Sequence, residues 1–220
     1  MSFFENLKNK AAQSTSAVTG NASYTVTLSQ VPVNLDQLKS MPEGSLQKPE
    51  HTAALAIVAL SLYPVDKDAS LQMLEFLQGP RGLTPYDKQF LTDRFRDKDY
   101  VPRSYFNGAT PANNYEPSEP YTLTFFENPY SRDHIAEGYL TLHIRSGGAD
   151  SPRQIKLRTK PSTGQWFLWS SSFSLISGNR PAQIRGPKPA ARLSYVFSGP
   201  KGGNPCRKDG MLPYSPVRFC

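Results

Sequence analysis

The sequence predicts an α+β domain. An N-terminal helical layer of about three main helices packs on a C-terminal antiparallel sheet of four or five strands. Two observations carry this. Between about residue 49 and residue 98 the apolar residues recur with helical spacing, and from Tyr121 onward the period switches to two. The strand-like runs are separated by turn-rich segments, which gives an antiparallel meander. A sheet curved into a cone, as in cystatin-like or NTF2-like folds, is one form this takes, and a fold analogy is weak evidence for function.

The elements follow in order. "MSFFENLKNKAAQ" sets Phe3, Phe4, Leu7 and Ala11 on one side of a short amphipathic helix, and "QSTSAVTGNAS" is a small-residue linker, so residues 1–22 stand apart from the body. "SYTVTLS" alternates, with Tyr24, Val26 and Leu28 inward: a half-buried strand. Asn34 caps a short helix that buries Leu35 and Leu38. "PEHTAALAIVALSLY" opens on Pro49, stops before Pro64 and is apolar nearly all round, which marks the central buried helix. "DKDASLQMLEFLQG" takes Asp66 or Asp68 as its cap, with a stripe of Leu71, Leu74 and Leu77. "TPYDKQFLTDRFRDKD" has Thr84 as N-cap, Pro85 at the first helical position and Asp87 in the capping-box place.

The strands come next. "YTLTF" alternates, "GYLTLHIRS" puts Leu140, Leu142 and Ile144 on one face, "RQIKLRTK" turns Ile155 and Leu157 inward, and "QWFLWSSSF" closes the sheet. The domain spans residues 23–185. Residues 186–220 read as a basic Gly/Pro-rich tail with little periodicity.

Composition narrows the function. The chain has 220 residues, 38% hydrophobic and 20% charged, with a formal net charge of +7. The tail alone carries +5 of that charge, so the body is close to neutral, which argues against a nucleic-acid face on the fold. A weaker nucleic-acid reading would use the tail, or Lys156, Arg158 and Lys160 beside an aromatic residue. Both cysteines, Cys206 and Cys220, lie in the tail without a CxxC partner, so no zinc site and no cofactor is indicated. The start lacks secretory-signal features and the longest apolar run, "AALAIVAL", is far short of a membrane span. A cytoplasmic protein without integral membrane association is the expectation.

Catalytic signals are thin. The three histidines, His51, His134 and His143, come with no nucleophile elbow, so no catalytic residue is assigned. "RSGGADSPR" offers Gly147 and Gly148 as backbone anion donors flanked by Arg145 and Arg153, with Asp150 between. The loop leads into a strand, however, not a helix. A hairpin connection whose glycines supply positive φ is the plainer reading. The acids of "DRFRDKDYVPR" lack the spacing of a metal loop and are interleaved with Arg and Lys. Trp166 and Trp169, three apart in a strand, point to opposite faces.

The segment 100–120 carries Tyr100, Tyr105, Phe106, Tyr115 and four prolines. Such a long irregular segment with so many rings reads as an ordered strap over the helix–sheet junction, with Asn107-Gly108 and Asn113-Asn114 as turns.

The strings "FLTDRFRDKDYVPRSYFNGATPANNYEPSEPY", "EGYLTLHIRSGGADSPRQIKLRTK" and "GQWFLW", with "MSFFENLKN" and "AALAIVALSLYPVDKDASLQMLEFLQGP", resemble a bacterial family catalogued as a domain of unknown function. Its members are short cytoplasmic proteins, largely from anaerobic gut-type bacteria. The resemblance covers residues 1–170. "SSSFSLISGNRPAQIR" follows it loosely and the tail not at all. It implies a small intracellular protein with no catalytic residues to carry over.

The leading expectation is therefore a non-enzymatic binding or protein-interaction module, with an unknown protein partner or a small anionic ligand. The candidate contact residues are Arg103, Tyr105, Phe106, Asn107 and Tyr115 in the strap, Arg145, Gly147, Gly148, Asp150 and Arg153 around the turn, and one of Trp166 and Trp169. The alternative is a hydrolase for a phosphorylated or anionic small molecule, in which Asp97, Asp99, Asp150, Arg103 and Arg153 would converge.

Overall fold

A computed structural model describes residues 22–169, 175–176 and 180–181. The expected N-terminal helix and linker, and the basic tail with both cysteines, lie outside the described residues.

Five strands form one antiparallel sheet in chain order. They are β1 (Ser23–Thr27), β2 (Thr122–Phe126), β3 (Tyr139–Ile144), β4 (Arg153–Lys160) and β5 (Gln165–Leu168). Four helices, α1 (Leu35–Ser40), α2 (Pro49–Leu62), α3 (Lys67–Gln78) and α4 (Pro85–Phe95), are all inserted between β1 and β2. The α+β class and the helical layer with its antiparallel sheet are as the sequence implies.

Local chemistry fixes the helix starts. Asn34 Oδ1 accepts the Gln37 N–H at 2.9 Å, and Asp66 Oδ1 accepts the Ala69 N–H at 2.9 Å. Thr84 and Asp87 exchange both bonds of a capping box. The α2 helix is buried continuously from Thr52 to Leu62, which explains its nearly uniform apolar sequence. In α3 the buried stripe is Met73, Leu74 and Leu77, with Ser70 and Gln78. Leu71 sits only part-buried at its margin, a one-position rotation from the predicted stripe.

One sheet face meets α2. Val26, Leu123, Phe125, Leu140, Leu142, Ile144, Ile155, Leu157 and Leu168 are buried there in alternation. Burial of this kind, at ~25 cal/mol per Å² of apolar surface, is the dominant stabilising term of such a domain. The outer face carries the other parity: Lys156, Arg158 and Lys160 are all exposed on it.

The strap is ordered. Tyr105, Phe106 and Tyr115 are buried, and Tyr100 stacks on Tyr115 with ring centroids 5.1 Å apart. The Asn107 N–H donates to Thr122 O, and the Ser118 N–H donates to Asn107 O. Gly108 (φ 81°) and Asn114 (φ 57°) form the two turns. The Glu119-Pro120 peptide is cis.

Candidate functional site: a cavity on the outer sheet face

The strap and the 146–153 turn do meet. The Gly147 N–H donates to Ser104 O at 2.8 Å, and the Ser146 and Ser104 hydroxyls are 2.8 Å apart. Their meeting is a packed seam, not an open surface. Tyr105 and Tyr115 spend their hydroxyls on the Leu175 and Arg180 carbonyls. Burial drives the Tyr105 pKa above its ordinary value, offset in part by Arg153, and drives Tyr115 up to about 12. Both phenols are therefore neutral core groups. With Phe106, they have no surface in this state to offer a ligand.

The glycines play a different role from the expected one. Neither Gly147 nor Gly148 has a positive φ. A Cβ on Gly147 would lie 1.8 Å from Ala109 O, and one on Gly148 would lie 2.0 Å from the Tyr115 hydroxyl oxygen. Close backbone approach requires glycine here, which single-sequence turn chemistry does not reveal. Their N–H groups are committed as well: Gly148 donates to Ser146 Oγ at 3.1 Å. An anion nest is therefore not formed by this turn. Asp150 makes a bidentate exposed ion pair with Arg180, at 2.6 and 2.8 Å.

The remaining candidates scatter. Arg103 sits part-buried in the strap, and Asn107 is tied into its backbone. Arg145 lies over the Phe126 ring at 5.4 Å on the outer sheet face. Trp166 packs on the core side: its N–H donates to Leu46 O and its carbonyl accepts from Thr52 Oγ1. Trp169 is on the opposite side, with its ring edge-to-face with Tyr139 at 5.3 Å and the Arg158 guanidinium 5.2 Å from its centroid.

Trp169 leads to a cavity that sequence reasoning missed. Strand β2 pairs with β3 at only two positions, Phe125↔Ile144 and Phe126↔His143, and then diverges. Residues 127–138 fill the gap, with the Thr141 N–H donating to Ser131 O and the Tyr139 N–H to His134 O. On the outer face this wedge leaves a cavity of about 260 Å³. The wedge contributes Tyr130, Ser131, His134 and Glu137 to its wall. The sheet contributes Tyr139, Leu140, Thr141, Lys156 and Trp169.

The wedge is clamped from below. Glu127 is 3% exposed and accepts Arg132 Nε at 2.5 Å, Arg132 Nη2 at 2.8 Å and the Tyr24 hydroxyl at 2.6 Å. Burial alone would raise the Glu127 pKa, but the hydrogen bonds from Arg132 and Tyr24 outweigh it and hold the carboxyl below its usual range. Bidentate Arg–carboxylate geometry of this kind fixes orientation as well as charge.

Ser131 and His143 lie side by side, which invites comparison with a nucleophile–base pair. The Asn128 carbonyl oxygen accepts from the Tyr130 N–H and the Ser131 hydroxyl, so its amide nitrogen faces His143 Nε2 at 3.3 Å. That leaves the ring proton on Nδ1, the nitrogen 3.5 Å from Ser131 Oγ. A protonated Nδ1 cannot take the serine proton. Burial lowers the His143 pKa, so the ring is a neutral structural group.

The electrostatics of the floor are one-sided. The five strands contain no Asp or Glu, while β4 alone presents Lys156, Arg158 and Lys160 on this face, Arg153 having the inward parity and facing Tyr105. Glu137, on the wedge, is engaged with His134 Nδ1 at 3.3 Å. The cavity is lined by none of Asp97, Asp99, Asp150, Arg103 or Arg153. Among the described residues no group of three or more His, Cys, Asp or Glu could hold a metal ion, and no helix is long and apolar enough to cross a membrane.

A model of a domain of unknown function (DUF6935) matches residues 30–183. The chain belongs to this family. The matched region holds α1 to α4, the strap, β2 to β5 and every residue of the cavity, and leaves out β1. It also runs past Trp169, through the part that follows the resemblance only loosely in sequence. Comparison with curated proteins and with solved structures found no match, so the cystatin-like and NTF2-like comparison stays an analogy.

Proposed function

We propose that this protein is a non-enzymatic binding module that takes a small anionic ligand in the outer-face cavity. The observation that carries the reading is the combination of Lys156 and three aromatic rings, Tyr130, Tyr139 and Trp169, around an open cavity on a sheet without acidic residues. Tyr130 strengthens it. The side chain is 75% exposed although the Glu127–Arg132 clamp and the Asn128 turn hold its loop in place. A large ring held in water by an ordered loop loses apolar burial that a bound ligand would restore.

The test is the melting temperature of the full chain across a panel of phosphates, carboxylates, sugar phosphates and nucleotides. A ligand that binds only the folded state raises stability with concentration according to its dissociation constant. The expected result is a saturable rise for at least one anion that is lost in Lys156→Gln. Absence of any rise, or a rise that Lys156→Gln leaves unchanged, overturns the reading.

A further inference from the structure

We infer that the ligand is a nitrogen heterocycle carrying an anionic group, the chemistry of a nucleoside monophosphate, with its ring against Trp169 and Tyr130 and its anion at Lys156. This rests on the reading of the cavity as a small-anion site and sharpens it.

Three features of the cavity go beyond what a bare anion needs. An inorganic anion is held by cations and backbone N–H donors, typically at a helix N-terminus or a nest. The wall offers Lys156, a histidine already engaged with Glu137 (His134), and three large aromatic side chains instead. Flat ligand rings stack on such side chains whatever their substituents, and arginine cations reinforce the stack. Arg158 is already placed for this, 5.2 Å from the Trp169 centroid and 5.6 Å from that of Tyr139.

The second feature is the mixed polarity of the two walls. Lys156 comes from the sheet, and Glu137 from the wedge. A carboxylate beside an anion site repels a ligand that is anionic throughout. It suits one whose other end presents N–H donors, as an amino-substituted heterocycle does. Ser131 and Thr141 add hydroxyls that can donate or accept.

The third feature separates a mononucleotide from a nucleic-acid strand. A strand-binding sheet needs a continuous groove that tracks the backbone. Here the wedge is hydrogen-bonded along β3 through Ser131 and His134, between the Phe126–Arg145 pair and the Trp169–Arg158 pair. The platform is divided, and the cavity beside the wedge is about 260 Å³, just under the ~300–1,000 Å³ range of small-molecule pockets.

The experiment is isothermal titration of the full chain with adenosine monophosphate, ribose 5-phosphate, adenosine, phenyl phosphate and a single-stranded octanucleotide. Adenosine monophosphate is expected to bind at least about tenfold tighter than either of its halves, and tighter than phenyl phosphate. Tyr130→Ala, a rim change at an exposed position, should weaken it about tenfold with the far-ultraviolet dichroism unchanged. Lys156→Gln should bring adenosine monophosphate down to the affinity of adenosine. Ribose 5-phosphate or phenyl phosphate binding as tightly as adenosine monophosphate overturns the heterocycle inference and leaves the small-anion reading standing. Failure of all the small compounds overturns the inference, and the wider anion panel then decides the reading separately. An octanucleotide that binds far tighter than the mononucleotide overturns the single-cavity inference.

Discussion

The hydroxyl of Tyr115 stands where a side chain on Gly148 would begin. A Cβ there would lie 2.0 Å from the phenol oxygen, which donates to the Arg180 carbonyl. Gly148→Ala should therefore lower stability by roughly 1–3 kcal/mol, the usual cost of overpacking. The denaturation midpoint measures it. Tyr115→Phe in the same chain should return part of the loss, because it removes the clashing atom, and the double-mutant cycle reads the coupling. Gly147→Ala has no such remedy, since its obstacle is the Ala109 backbone carbonyl.

The clamp under the cavity predicts a pH signature. Arg132→Met leaves the Glu127 carboxylate buried without its ion partner, at a cost of about 2–3 kcal/mol near pH 7, below the 3–5 of fully enclosed pairs because Arg132 is half-exposed. In the native protein the folded-state pKa of Glu127 is lowered. Its contribution is present above the ordinary carboxyl pKa and is lost as pH falls through the lower folded value. In Arg132→Met the carboxyl pKa rises instead. The gap between the two proteins should be widest at neutral pH, begin to shrink as pH falls through the raised carboxyl value of the variant, and close as pH falls through the lowered native value. An urea series at several pH values checks this, and a gap independent of pH would contradict the assignment.

His143 gives a second window. Its folded pKa is lowered by burial, so the unfolded chain binds the proton more readily. Stability should fall as pH drops from about 6.5, the ordinary histidine value, through the lower folded value. Replacing His143 with Gln should flatten that part of the profile while keeping a partner for Asn128. An unchanged slope would mean that His143 has the same pKa in the folded and unfolded chains.

Thr84→Ala removes both the side-chain cap of α4 and one partner of Asp87. A loss of about 1 kcal/mol is expected, read from the thermal midpoint. Thr84→Ser, which keeps the hydroxyl, should stay within a few tenths of the native value.

The start of α4 was legible because a capping box is written in consecutive residues, and the same holds for Asn34 and Asp66. The buried strap was legible from its rings, since Tyr105 and Tyr115 are costly to leave in water. What sequence could not show is who sits opposite whom. Gly147 and Gly148 look like turn glycines until Ala109 and Tyr115 are seen against them. The cavity stayed hidden because "ENPYSRDHIAEG" is polar and aperiodic, and its order comes from a Glu–Arg–Tyr contact that joins position 24 to 127 and 132. One signal was available: twelve residues are more than an antiparallel connection needs, and such excess is often functional.

Strand β1 is the first of the five strands to be made, and its partner β2 follows only after the whole helical layer. Ser23 Oγ donates to the carbonyl of Phe125, 102 residues further on, and the whole helical layer is made in between. During synthesis the helices must therefore shelter Val26 and Leu28 before β2 exists to pair with them, or leave that edge open to other chains. Because Tyr24 completes the Glu127–Arg132 clamp, the pairing of β1 also braces the wedge that walls the outer-face cavity, so a contact 103 residues apart in sequence helps to shape it.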